Sequence, residues 1–65
     1  MRDINGEEFF VGDRLKVIKE SRHFRAGTVL VCFDDDGSDC CVFYEVGGDP
    51  EEGARYVRNK RLQKL

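Results

Sequence analysis

Apolar and polar residues alternate along most of this chain, and a period of two predicts β-strands rather than helices. Arg14-Leu-Lys-Val-Ile-Lys19 turns Leu15 and Val17 inward and Arg14 and Lys16 outward, a first strand with one wet face. Ile18 interrupts the alternation, and the mixed segment from Glu20 to Ala26, with Phe24 as its one large apolar residue, predicts a loop folding over one end of the sheet. From Gly27 to Val46 two apolar runs flank Asp34 to Asp39, and Asp36-Gly37 reads as a two-residue hairpin turn. That turn pairs Phe33 with Cys40, Val31 with Val42 and Val29 with Tyr44, and it sets Cys32 opposite Cys41. Val29, Val31, Phe33, Cys40, Val42, Tyr44 and Val46 then share a face read as the core. The other face holds Thr28, Leu30, Cys32, Cys41, Phe43 and Glu45, and is also mostly apolar. A sheet apolar on both sides needs two covers. The second is expected to be either Phe9-Phe10-Val11 of the same chain or another molecule.

Gly47 to Gly53 has no large apolar side chain and predicts a surface loop. Ala54 to Arg58 is a short strand with Tyr56 and Val57 as its apolar content, Asn59-Lys60 a tight turn, and Leu62 and Leu65 are placed for burial. The spacing of those leucines also admits one short C-terminal helical turn. The expected fold is all-β, one domain over residues 1–65, with residues 1–11 as a covering segment and 12–65 as a small five-stranded barrel.

Val11-Gly-Asp-Arg-Leu-Lys-Val-Ile18, Phe24-Arg-Ala-Gly-Thr-Val-Leu-Val31 and Arg55-Tyr-Val-Arg58 carry a resemblance to the SH3-like small barrels, the group of KOW, Tudor and SH3 domains. The first two segments look like the opening of many small bacterial and phage barrels. The resemblance implies binding without catalysis, through loops at one end of a preformed barrel and around aromatic residues. The chain has no tryptophan, so it departs from the peptide groove of SH3 domains, and Phe24, Tyr44 and Tyr56 remain as aromatic candidates.

Charge changes this picture in one respect. The net charge of −2 argues against a generic nucleic-acid binder, but the charge is segregated. Eight acids and no base lie between Ala26 and Gly53, and Arg55, Arg58, Lys60, Arg61 and Lys64 follow without an acid. No apolar run approaches the ~20 residues of a membrane span, and the first residues lack the apolar stretch of a secretory signal. Three cysteines without disulfide-framework spacing fit a reducing compartment, so the expected location is cytoplasmic.

Candidate chemistry is sparse. Setting Gly37 at the sixth position of a calcium-binding loop puts Cys32 first and Phe43 twelfth, where carboxylates are required. His23 with Cys32, Cys40 and Cys41 does not match zinc spacing. Nucleophilic catalysis needs a thiol beside a base, and His23 lies on a loop far along the chain from Cys40. Neither an enzyme nor a cofactor is expected. The expectation is a protein-binding module, using Arg22, His23, Phe24 and Arg25 with Tyr44 and Tyr56 at their border, and Asp34, Asp35 and Asp36 as a second contact. One alternative is a nucleic-acid-binding barrel using Arg22, Arg25, Arg55, Arg58 and Lys60. Another is a small homo-oligomer paired through Leu30, Cys32, Cys41 and Phe43. No membrane partner is expected, and the chain is expected to be a monomer or a weak homodimer.

Overall fold

Alternation becomes pairing in five antiparallel strands, β1 (Arg14–Val17), β2 (Val29–Asp34), β3 (Cys40–Glu45), β4 (Arg55–Arg58) and β5 (Leu62–Lys64). The structure is a computed structural model describing residues 1–37 and 39–65; Ser38, inside the predicted hairpin turn, lies outside the described residues. The strands form one sheet in the order β4-β3-β2-β1-β5. Among the described residues, helix is limited to one turn, α1 (Pro50–Gly53), and a 3-10 turn at Asn59–Arg61. The first falls within the segment expected to be plain loop. Asp49 creates it by accepting a hydrogen bond from the Glu51 N–H at 2.9 Å, and Pro50 presets the first helical residue.

The edge strands β4 and β5 would stand about 19 Å apart in a flat five-stranded sheet. Only the 3-10 turn at Asn59–Arg61 joins them, and at about 2 Å per residue it cannot span that gap. The sheet therefore curls strongly, with the Asn59 N–H on the Asp39 carbonyl and the Ile18 N–H on the Arg61 carbonyl. Among the described residues no ladder joins β4 to β5, so the sheet is not closed into a barrel.

Curling gives the sheet an inside. Leu15 and Val17 of β1, Leu30 and Cys32 of β2, Cys41 and Phe43 of β3, Val57 of β4 and Leu62 of β5 fill it, all but fully buried. This inverts the expected core. The alternation sorted the hairpin residues onto the right two faces, but Leu30, Cys32, Cys41 and Phe43 are the inner set and Val29, Val31, Phe33, Cys40, Val42, Tyr44 and Val46 the outer. The cause is the pairing of β1 with β2. Leu15 lies opposite Leu30, so the dry face of the first strand selects that face of the second.

The hairpin register also differs, by two residues. Val31 faces Tyr44, Cys32 faces Phe43, and past a bulge Asp34 faces Val42, so Cys32 and Cys41 are not directly opposed. An even slip preserves the faces while changing every partner. Carboxylates lengthen the connection: Asp34 Oδ1 accepts the Asp35 N–H and Asp35 Oδ1 accepts the Gly37 N–H at 2.7 Å, with Gly37 at φ +79°.

The open side of the curl is plugged from the N-terminus. Phe9 is fully buried, its ring centroid 6.1 Å from that of Phe43, whereas Phe10 and Val11 stay more than half exposed on a turn. Of the three residues expected to form a lid, Phe9 alone covers the hairpin. Asp3 fixes the segment: its carboxylate accepts the N–H groups of Asn5, Glu7 and Lys64 at 2.7–2.8 Å, tying it to β5. Leu65 is 60% exposed rather than buried, because a strand puts Leu62 and a residue three further on opposite faces.

Candidate binding face

The strands also converge on the outer face of the sheet, where Phe33 and Tyr56 are exposed and the residues between them half-buried. Register assembles it strand by strand: Tyr56 and Arg58 of β4, Cys40, Val42 and Tyr44 of β3, Val29, Val31 and Phe33 of β2, Arg14 and Lys16 of β1, Gln63 of β5. The three valines and Tyr44 are half-buried between neighbours, while Phe33 is 45% and Tyr56 61% exposed. The bulge after Cys32 leans Phe33 onto Tyr44, edge to face, with centroids 5.9 Å apart. A valine floor with aromatic residues toward one end results.

Its charge opposes that of the whole molecule. Arg14 and Lys16 flank one side and Arg58 the other, against a single strand carboxylate, Asp34, at the hairpin end. The face is thus net positive on a chain of net charge −2. Cys40, half-buried within it, has its pKa raised, first by burial and then by Asp36, with Arg58 acting in the other direction.

The residues expected to form the site fall in three places. Arg22, His23 and Arg25 are exposed on the loop between β1 and β2, while Phe24 turns inward and packs against the core. The Ser21 N–H to Phe24 carbonyl bond at 3.0 Å holds that turn, and Arg61 reaches across to the Glu20 carbonyl. Asp34, Asp35 and Asp36 are exposed at the other end of β2, roughly 17 Å of strand away. Tyr44 and Tyr56 lie between these ends, on the outer face.

Of the alternative nucleic-acid set, Arg58 is on the outer face and Lys60 is exposed on the 3-10 turn. Arg55 pairs with Phe43 at the inner-face register and donates to the Glu52 and Ala54 carbonyls. The 3-10 turn that carries Lys60 packs against the start of the first loop, through Arg61 and the Glu20 carbonyl, while Arg55 and Arg58 alternate between the two faces of β4. The strip Leu30, Cys32, Cys41 and Phe43 is buried within one chain, so an oligomer cannot use it.

Alternation alone places Val29, Val31, Phe33 and Val42 in the core and leaves Arg14 outside any expected site, so the sequence does not show them as one face with Lys16. The signal was present in the first strand: the wet face of Arg14 and Lys16 continues into whichever hairpin face lies outside. No protein-family model, curated protein or solved structure matches this chain.

Proposed function

We propose that this chain is a non-catalytic protein-binding module that docks an extended, acidic and apolar segment of a partner on the outer face of its sheet. The observation that carries the reading is that face itself: a half-buried valine floor with Phe33 and Tyr56 exposed on it, bordered by Arg14, Lys16 and Arg58. Apolar surface gathered on one face marks interaction sites, and flanking cations favour a partner carrying carboxylates. Five short strands, a long first loop and a short turn before the last strand support the SH3-like reading of the fold. Three unbridged thiols suit the reducing, cytoplasmic setting inferred for it.

Two features favour a protein over single-stranded nucleic acid. Bases stack on open aromatic faces, but Phe33 and Tyr44 engage each other and the centre is valine. The Asp-rich hairpin at one end also repels phosphate. The first loop and the hairpin tip then act at the two ends of the face, steering rather than anchoring.

Selection from a random peptide library on the immobilised intact chain tests this, with affinities measured by fluorescence anisotropy. Selected peptides should alternate apolar and acidic residues, and the pair Tyr56→Ala, Arg58→Glu should weaken them by about tenfold or more, whereas Arg22→Ala, Arg25→Ala should change little. Binding lost only in the loop variant would move the site to the loop. A single-stranded oligonucleotide that binds more tightly than any peptide, steeply with falling salt, would replace the reading with nucleic-acid binding.

A further inference from the structure

The hairpin end of the inner face holds a second constellation, separate from the docking face. Cys41 is fully buried on β3, and the tip of the hairpin brings Asp35 and Asp36 over it. One donor atom from each of the three lies within 4.8 Å of the others. Asp35 Oδ1 is 3.9 Å from Cys41 Sγ, and the thioether of Met1 comes to 3.1 Å from the same sulfur. Asn59, only 4% exposed, directs its side chain at Cys41. Its Oδ1 nevertheless has no hydrogen-bond partner among the described residues. A buried amide oxygen left without a partner is unfavourable, and the side chain that carries it faces the Cys41 thiol.

We propose that Cys41, Asp35 and Asp36 form a binding site for a thiophilic divalent cation of the zinc type, with the Asn59 amide turning its unpartnered Oδ1 to the ion as fourth donor. The donor set selects the metal. Thiolate and carboxylate are both ordinary zinc ligands in four-coordinate sites, while calcium and magnesium call for oxygen alone. Metal–sulfur and metal–oxygen bonds of about 2.3 and 2.1 Å draw tetrahedral donors to within roughly 3.4–3.6 Å of each other. The contraction of about an ångström falls to the hairpin tip that carries Asp35 and Asp36, with the Asp35 Oδ1 contact to the Gly37 N–H exchanged in part for the ion and Cys41 left in place.

The carboxylates of Asp34, Asp35 and Asp36 gathered at this end of the hairpin attract a cation. Binding exchanges the Cys41 thiol proton for the metal, so one proton leaves per ion and the affinity rises with pH. Sequence spacing hid the cluster because its members come from the hairpin tip, the strand behind it and the 3-10 turn.

Titration of the reduced, intact chain with cobalt(II) provides the test, since a coordinated thiolate gives a near-ultraviolet charge-transfer absorption. One equivalent should bind, zinc should bleach the band, and calorimetry in buffers of different ionisation enthalpy should find one proton released per zinc. Asp35→Asn with Asp36→Asn, at exposed positions that leave the core intact, should weaken binding by tenfold or more. Glu51→Gln with Glu52→Gln on α1 should leave it unchanged. Cys41→Ser should abolish the band; if that variant does not fold, the carboxamide pair decides. No thiolate band in the wild-type chain, or a band and affinity indifferent to the Asp35 and Asp36 changes, would overturn the site.

Discussion

The two faces of this sheet are built from almost the same residue types and do opposite things. The inner face carries Leu15, Val17, Leu30, Cys32, Cys41, Phe43, Val57 and Leu62, sealed by Phe9. The outer face carries Val29, Val31, Phe33, Cys40, Val42, Tyr44 and Tyr56 and has no seal. Hydrophobicity does not separate them. What separates them is which side the curl closes on and what the ends of the chain lay across it. Apolar side chains on the closed side are core and hold the domain together; similar side chains on the open side are available to a partner.

The comparison breaks first at Phe43 and Tyr44, neighbours in one strand that point to opposite faces. Phe43→Ala should cost about 3–5 kcal/mol, enough to unfold a domain of this size, while Tyr44→Ala should cost about 1 kcal/mol or less through its lost contact with Phe33. Urea denaturation of the two variants measures both. Equal losses would mean that the outer face is as structural as the inner.

Thiol chemistry sharpens the contrast further. With metal chelated, Cys40 on the outer face should react with a disulfide reagent first. Cys32 and Cys41 should react at least about a hundredfold more slowly, because exposing them requires opening a domain worth roughly 3–5 kcal/mol. Three thiols modified at one rate would contradict the assignment of faces.

The smallest effect concerns the seal. Within the Asp3 environment burial alone would raise the pKa, but the N–H groups of Lys64, Glu7 and Asn5, with the Lys64 charge, outweigh it and hold the carboxyl below its ordinary 3.8. The ionised form is therefore favoured in the folded chain. Its stabilisation is complete above the ordinary value and drains away as pH falls through the lowered folded value. Asp3→Ala should cost about 2 kcal/mol at neutral pH and flatten the acid limb of the stability profile, read by thermal unfolding from neutrality down to acid pH. An acid limb identical to that of the wild type would remove Asp3 as the anchor.

Much of the fold was legible one residue at a time. The alternation over Arg14 to Lys19 and across the hairpin located three strands, and the partition of hairpin residues between faces survived a register slip because the slip was even. The helical turn near the C-terminus appears as the 3-10 turn that joins the sheet edges. The one-turn helix at Pro50–Gly53 is hidden in a run of turn residues, although Asp49-Pro50 supplies its cap and first turn. The binding face was legible only as a set. Nothing in Val31 or Phe33 taken alone says outside; the pairing of Leu15 with Leu30 decides it.

By itself the sequence determined that this chain is a small all-β sheet whose hairpin residues divide into two apolar sets, because side-chain direction along a strand has a period of two. It did not determine which set is the core. That choice depends on long-range pairing: β1 against β2, Phe9 folded back onto Phe43, and a 3-10 turn short enough to force the curl. The gathering of Asp35, Asp36, Cys41 and Asn59 at one end is equally a product of the curl, since no local periodicity relates residues on a hairpin tip to one that follows β4. Local sterics set the alternation, and tertiary contacts alone gave it an inside and an outside.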